Sequence, residues 1–227
     1  MDTVLITGGN RGIGKGLVER FMKTHKVYFT VREKVKGDAV IQSLSSVVGD
    51  VHYLVMDTSD ESSIVSVAKD FYGKGYKLDL IINNAGVYLD EGQSGSSVTS
   101  DVFMDTIRTN TLGPLLVIQN FLPSLKKGSR VINISSRMGQ MTAMGLDSLA
   151  YRTSKAALNA VSVILNQDLK QKGICVSSMC PGWVRTDMGG QSAFLAVEES
   201  ADGIYKVATS DDFPAGKFLI DGGVVGW

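Results

Sequence analysis

Two side chains that could move a proton lie four residues apart in the stretch AYRTSKAALN, residues 150–159. Residues at this spacing share one face of a helix, so Tyr151 and Lys155 would lie side by side. A tyrosine ordinarily keeps its proton at neutral pH, and a nearby ammonium stabilises the phenolate and lowers the pKa of the phenol. The pair therefore suits a general acid and its tuning group. A surface tyrosine packed over a lysine side chain would have the same spacing.

The segments that must position this pair alternate between strand-like and helix-like patterns. Apolar residues recur at helical spacing in several stretches, as Ile13, Leu17 and Phe21 do. Short apolar runs between them are typical of strands covered on both faces. The alternation predicts an α/β fold, a single doubly wound, Rossmann-type domain over residues 1–227 with a parallel sheet of about seven strands and helices on both faces. The predicted strands are 3–7, 26–31, 51–57, 78–83, 129–135, 174–180 and 217–220.

Composition and charge narrow the class of protein. The 227 residues carry no formal net charge, so the chain lacks the basic surface that a nucleic acid or an anionic membrane would require. No apolar run is long enough to cross a bilayer, and the first residues, MDTVLITGGN, do not resemble a signal peptide. We expect a cytoplasmic protein with no metal site. Cys175 and Cys180 lie in one predicted strand and are expected to be free thiols.

A glycine-rich segment, TGGNRGIG, follows the first predicted strand at residues 7–14. Glycine permits a tight turn and a close approach of phosphate to the backbone, and the helix that follows offers free N–H groups to an anion. A plain glycine-rich turn is the alternative, but the position after the first strand of an alternating chain favours a dinucleotide site. The predicted contacts in this loop are Gly8, Asn10, Arg11, Gly12, Ile13 and Gly14.

Several motifs in order along residues 3–187 resemble the short-chain dehydrogenase/reductase family. They are the Gly-x3-Gly-x-Gly spacing of the loop, NNAG at residues 83–86, Asn110, a serine after the fifth strand, and YxxxK. The stretches AYRTSKAALNA and CPGWVRTDMGG, with an ending that includes Gly-Gly and Trp227, are similar to its small carbonyl reductases, the branch that includes sniffer and C-factor.

This resemblance implies roles for four catalytic residues. Tyr151 would donate the proton, Ser136 would orient the substrate carbonyl, and Lys155 would tune the tyrosine and bind the nicotinamide ribose. Asn110, through its side chain or its backbone, would hold a water that supplies Lys155 with protons. Ser136 could instead be an ordinary loop serine, because fifteen residues separate it from Tyr151 where many members have thirteen.

The cofactor is expected to be NADP(H). Arg32 follows the second strand and Arg11 lies in the glycine loop, and two guanidinium groups could bind the 2′-phosphate. Glu33 is the competing feature, because a carboxylate there could bind the ribose of NAD instead.

The resemblance also assigns cofactor contacts at the ends of later strands. Asp57 would reach the adenine, although it could simply cap the next helix. Asn83 would tie strands together, while Trp183 could line the pocket or pack within its loop. The contacts predicted at these strand ends are Asp57, Thr58, Asn84, Ala85, Gly86, Pro181, Gly182, Val184 and Thr186, in addition to Tyr151 and Lys155.

These features predict NADPH-dependent reduction of aldehyde, ketone or quinone carbonyls. The short segment 188–197 indicates an open site for a small carbonyl substrate. Oxidation of a secondary alcohol on the same residues, and a nucleotide-sensing regulatory protein, are the alternatives. A sensor would not need the full set of proton-transfer residues. Predicted helices at 98–126 and 148–172 favour a homodimer.

Overall fold

The computed structural model describes residues 2–44 and 48–226, so Trp227 lies outside the described residues. Its sheet has eight strands in the order β3-β2-β1-β4-β5-β6-β7-β8, and all neighbouring pairs are parallel except β7 and β8. The prediction of a doubly wound parallel sheet is confirmed. The strands are β1 (Thr3–Ile6), β2 (Lys26–Val31), β3 (Val51–Val55), β4 (Leu78–Asn83), β5 (Leu125–Ile134), β6 (Cys175–Cys180), β7 (Phe218–Ile220) and β8 (Gly223–Val225).

The eighth strand was not predicted from the sequence. A two-residue turn, Asp221-Gly222, joins it to β7, and both residues have positive φ, 52° and 78°. This is the conformation that closes a tight antiparallel hairpin. The strand is only three residues long, too short for a clear apolar alternation to show it.

Helices cover both faces of the sheet. They are α1 (Gly12–Phe21), α2 (Lys34–Ser43), α3 (Glu61–Gly73), α4 (Ser100–Ile107), α5 (Gly113–Phe121), α6 (Leu149–Leu169) and α7 (Val197–Thr209). Successive strand residues point to opposite faces, so Val4 packs with the core under α1 and α7 while Leu5 packs with the core under α3 and α5. Fully burying one such apolar side chain contributes about 1.5–3 kcal/mol.

The long helix predicted at 98–126 is interrupted. A π-helical turn, Arg108–Leu112, separates α4 from α5, and β5 already begins at Leu125. At the end of this turn the backbone of Gly113 packs closely against that of Thr58, because a β-carbon on Gly113 would overlap the carbonyl oxygen of Thr58. Apolar periodicity continues through such a turn, so the pattern alone gave one helix.

The order of the strands places the ligand crevice. The chain runs from β1 outward to β2 and β3, and then returns to β4 on the other side of β1. Ligands of such sheets bind where the order reverses, beyond the carboxyl ends of the strands. The glycine loop after β1 and the NNAG segment after β4 therefore meet at this point. No helix within the described ranges could span a membrane.

Candidate functional site

A cleft of about 230 Å³ runs over the carboxyl ends of the central strands, from Arg32 at one end to Tyr151 at the other. It brings together most of the residues predicted from the sequence. Asn110 and Ser136 lie beside the cleft rather than in its lining, as do Gly182 and Val184. The predicted residues that line it are Gly8, Asn10, Arg11, Gly12, Ile13, Gly14, Arg32, Asp57, Thr58, Asn84, Ala85, Gly86, Tyr151, Lys155, Pro181 and Thr186.

The conformation of the glycine loop lets a ligand approach its backbone closely. Gly8 and Gly12 have φ values of +69° and +51°, which side chains rarely adopt. A β-carbon on Gly14 would overlap the carbonyl oxygen of Gly8. At the start of α1, Arg11 makes no side-chain cap and the first turn holds no acidic residue. The first residues of this helix line the cleft, and the helix dipole there favours an anion.

Asn84 fixes the shape of this loop. Its side-chain amide donates to the carbonyl oxygens of Thr7 at 3.0 Å and Gly8 at 3.2 Å. The Thr7 hydroxyl accepts in turn from the backbone N–H groups of Asn84 and Ala85. The Asn84 amide hydrogens are therefore used within the protein. Asn83 bonds the side chain of Asn133 at 2.9 Å and ties β4 to β5, as predicted.

The two arginines predicted to bind the 2′-phosphate differ in their surroundings. Arg32 is exposed at the end of β2 and forms no salt bridge with a described residue. Arg11 is paired with Asp187 at 2.7 Å, both side chains being largely exposed. Glu33, the competing carboxylate, lies at the start of α2 and does not line the cleft. Asp187 lies far from Arg11 in the sequence, so no local motif predicts this pair.

Asp57 does not cap the helix that follows it, so that alternative is wrong. Its carboxylate accepts from the backbone N–H and the hydroxyl of Ser59, at 2.9 and 2.7 Å. Asp60 is the residue that caps α3, accepting from the N–H of Ser62. The short turn leaves Asp57 and the buried Thr58 at the edge of the cleft.

The proton-donor candidate is buried at one end of the cleft. Only 8% of Tyr151 is exposed, and this burial raises the pKa of its phenol, while interaction with the Ser136 hydroxyl acts in the opposite direction. Burial therefore sets the direction of the shift, which is opposite to the lowering expected from Lys155. Ser136 faces Tyr151, whereas the hydroxyl of Ser135 donates to the carbonyl of Lys155 at 3.3 Å.

Lys155 is also buried, one helical turn further along α6. Its Nζ donates to the carbonyl oxygen of Ile134 at 2.8 Å and lies 5.6 Å from the centroid of the Tyr151 ring. Burial lowers the pKa of the lysine to about 8. The group is thus poised between its charged and neutral forms close to physiological pH.

Asn110 lies in the π-helical turn and is fully buried. Its amide donates to the carbonyl of Val87 at 2.8 Å and to the Ser154 hydroxyl at 3.0 Å, and its oxygen accepts from the N–H of Val87 at 2.8 Å. Both amide hydrogens are used, so the side chain could hold a water only through the second lone pair of its oxygen, while the backbone carbonyl is the other predicted route. The side chain joins the segment after β4 to α6.

The segment after β6 turns at Gly182, where φ is +83°. Val184 forms an isolated parallel bridge with Leu195, and the bonds of this bridge use the carbonyl of Trp183 and the N–H of Arg185. In parallel pairing the N–H and carbonyl of Val184 itself then point the other way. The Thr186 hydroxyl accepts from the N–H of Gly189 at 3.0 Å.

Trp183 packs within its own loop. Its indole N–H donates to the carbonyl of Gly189 at 2.7 Å, and its ring meets Phe194 edge to face at 5.0 Å. It does not line the cleft, which favours the packing interpretation over a pocket wall.

Sequence reasoning missed Asp90. The stretch that it begins is polar and glycine-rich, a composition typical of a surface loop, yet Asp90 is fully buried and accepts hydrogen bonds from the N–H groups of Ala150 and Tyr151. Nothing in the local pattern marks this residue, because its partners lie sixty residues away. In the ranges 2–44 and 48–226 no three His, Cys, Asp or Glu side chains are grouped to bind a metal ion.

Comparison with known proteins gives consistent results. The family model of short chain dehydrogenases matches residues 2–193. NADPH-bound carbonyl reductase from chicken fatty liver is 32% identical, with a TM-score of 0.90 over 100% of this chain and 99% of that chain. Carbonyl reductase Sniffer of D. melanogaster is 30% identical, with a TM-score of 0.91 over the whole of both chains. C-signal of Myxococcus xanthus is 41% identical over 138 residues, which covers 57% of this chain and 80% of that protein.

Proposed function

Because this chain belongs to the short-chain dehydrogenase/reductase family, we propose that it reduces carbonyl groups with NADPH and that Tyr151 donates the proton. The identification of the family and of its small carbonyl reductase branch from sequence motifs is confirmed. The observation that carries the proposal is the single cleft that joins Arg32 and the glycine loop to the Tyr151 hydroxyl.

The residues of the cleft fit NADP(H). The N-terminus of α1 suits a pyrophosphate, and Arg32, which forms no salt bridge within residues 2–44 and 48–226, suits a 2′-phosphate. Asp57 would lie at the adenine, while Lys155 and the backbone of Val184 would hold the ribose and the carboxamide. When bound, the reduced nicotinamide supplies the hydride.

Tyr151 holds the proton that the reduction consumes. Because burial raises its pKa, the phenol stays protonated at neutral pH. The Ser136 hydroxyl, which faces the phenol, would hold the substrate oxygen beside it. As negative charge develops on that oxygen, the proton passes from Tyr151 to it, and the Lys155 ammonium stabilises the phenolate that is left.

The mouth of the site supports a small, mostly apolar carbonyl substrate. Met141, Met144 and Leu146, on the loop after Ser136, expose 66%, 40% and 99% of their surfaces. Phe194, on the short segment after Thr186, exposes 78%. Aldehydes, ketones and quinones would meet apolar contacts on these two segments.

Two alternative functions would use the same residues of the site. Oxidation of a secondary alcohol needs the reverse proton transfer, which a phenol of raised pKa disfavours at neutral pH. A regulatory role is suggested by the likeness to C-signal, a protein whose name denotes signalling. A sensor would not need the buried Tyr151 beside Ser136.

The homodimer, the cytoplasmic location and the single domain over residues 1–227 stay predictions. Exposed apolar side chains on the outer side of α4 and α6, Met104 and Ile164, support a dimer in this region.

The test is consumption of NADPH and of NADH against a panel of aldehydes, ketones and quinones. We expect turnover with NADPH, and its loss in Tyr151→Phe with NADPH binding unchanged. Tyr72→Phe, which alters an exposed tyrosine on α3, should behave as wild type. Full turnover in Tyr151→Phe would reject the proton-donor role, and absence of turnover in the wild type on every substrate would favour the sensor.

A further inference from the structure

The segment Tyr88–Asp90, just after the NNAG motif, packs against the start of α6. The loop that follows this segment is joined to the residues before α6, because the N–H of Ser148 donates to the carbonyl of Gln93 at 3.0 Å and Ser94 forms an antiparallel bridge with Asp147. The polar loop after β4 is thus part of the support of the helix that carries Tyr151.

Helix α6 has an unusual beginning. The residue at its cap position, Ser148, has φ of +60° and makes no side-chain bond to the first turn. Its hydroxyl is bonded to the Tyr88 hydroxyl at 2.6 Å instead. The first N–H groups of the helix therefore need an acceptor from elsewhere in the chain.

Asp90 supplies that acceptor from another loop. One carboxylate oxygen accepts from the N–H of Ala150 at 2.6 Å and the other from the N–H of Tyr151 at 3.2 Å. Asp90 is fully buried and pairs with no cation among the described residues. A buried carboxylate is costly, and here the positive end of the helix dipole offsets its charge.

Tyr88 holds the side chain of the same residue. Its ring lies against that of Tyr151, with centroids 4.4 Å apart and planes tilted by 32°. Tyr151 is thus held at its backbone N–H by Asp90 and at its ring by Tyr88. Both supports come from one three-residue segment.

We propose that Asp90 is a positioning residue that sets where the Tyr151 hydroxyl lies relative to Ser136. The inference rests on the proposed function, because it assigns Asp90 to the same proton transfer. A displacement of the reacting group of about 1 Å costs up to roughly 100-fold in rate. Loss of the Asp90 carboxylate is therefore expected to lower kcat by about 10- to 100-fold.

The test compares Asp90→Ala with Asp60→Ala, which removes a carboxylate that caps α3 in a similar way but does not contact Tyr151. Binding sites are counted by NADPH titration, and kcat per binding site is measured at saturating NADPH. We expect kcat to fall only in Asp90→Ala, with a larger deuterium isotope effect from NADPD and an unchanged affinity for NADPH. Wild-type kcat per binding site in Asp90→Ala would overturn the proposal.

Hydrogen exchange separates this inference from the proposed function. The amides of Ala150 and Tyr151 should lose protection in Asp90→Ala and keep it in Asp60→Ala, whether or not a substrate is found. Loss of protection with no turnover in the wild type would reject the function and keep the support by Asp90. If Asp90→Ala does not fold, Asp90→Asn, which retains one acceptor, decides: an unchanged kcat and unchanged protection of both amides would overturn the proposal.

Discussion

The Nζ of Lys155 donates a hydrogen bond to the carbonyl oxygen of Ile134 at 2.8 Å, where β5 ends beneath α6. This bond holds the lysine within the protein, and burial lowers its pKa to about 8. An ammonium in this position would be available to a ribose hydroxyl and to the Tyr151 phenolate, but keeping it charged costs free energy of folding. The charged Lys155 therefore places a cation in the cleft and lowers the stability of the folded protein.

The lowered pKa of Lys155 predicts that part of the protein's stability depends on pH, and that Lys155→Met removes this dependence. The folded-state pKa, about 8, lies below the ordinary value of 10.5, so the unfolded chain binds this proton more tightly. Stability should rise with pH between these values, by roughly 3 kcal/mol in all, and the full cost should be present at lower pH. We expect the free energy of unfolding of the wild type to rise relative to that of Lys155→Met across this window, measured by urea denaturation.

Lys69→Met, at an exposed position on α3, is the control, and its stability should run parallel to that of the wild type. Parallel curves for Lys155→Met as well would contradict the lowered pKa of the buried lysine.

Arg32 should set the preference for NADPH. A hydrogen bond to a charged group contributes about 1.5–3 kcal/mol, so Arg32→Gln should weaken NADPH binding roughly 10- to 100-fold. NADH, which lacks the 2′-phosphate, should bind Arg32→Gln about as it binds the wild type. Cofactor fluorescence titration measures both affinities.

Arg11→Gln is the matched comparison. Its guanidinium is paired with Asp187, and an exposed pair contributes at most about 1 kcal/mol. Arg11 must leave this partner to reach a phosphate, so its replacement should weaken NADPH binding less than Arg32→Gln does. Equal losses for NADPH and NADH in Arg32→Gln would show that Arg32 does not bind the 2′-phosphate.

The fold could be predicted from the sequence because its signals are local. Apolar runs and helical spacing predicted the strands and helices, and the family motifs predicted the glycine loop after β1 and the helix that carries Tyr151. Two elements were not predicted, because neither changes the apolar pattern over enough residues. They are the π-helical turn Arg108–Leu112 and the three-residue strand β8.

The features of the site that could not be predicted depend on contacts between residues far apart in the sequence. Asp90 caps α6 across sixty residues, and Asp187 pairs with Arg11 across more than a hundred, so no spacing along the chain reveals either. The direction of the pKa shift of Tyr151 could not be predicted from the sequence either, because it depends on burial. The sequence indicated that Lys155 would lower the pKa of Tyr151, but only the packing shows that burial raises it.

Gly14→Ala and Gly203→Ala should have opposite effects on the protein. A β-carbon on Gly14 would overlap the carbonyl oxygen of Gly8 and lie 2.6 Å from the side-chain amide of Asn84. Crowding of this kind costs about 1–3 kcal/mol, and here it also displaces the loop proposed to hold the pyrophosphate. Gly203 lies inside α7, and a β-carbon there meets nothing within 4 Å. Alanine should therefore stabilise that helix by about 0.5–1 kcal/mol, because it restricts the unfolded chain.

Thermal unfolding and NADPH titration of the two variants check this contrast. We expect a lower Tm and loss of NADPH binding in Gly14→Ala, and a higher Tm with unchanged NADPH binding in Gly203→Ala. Because both changes add a single methyl group, the difference isolates the close approach of Gly14 to Gly8. Normal cofactor affinity in Gly14→Ala would mean that the loop can shift without harm, and the role of this contact in the site would then be rejected.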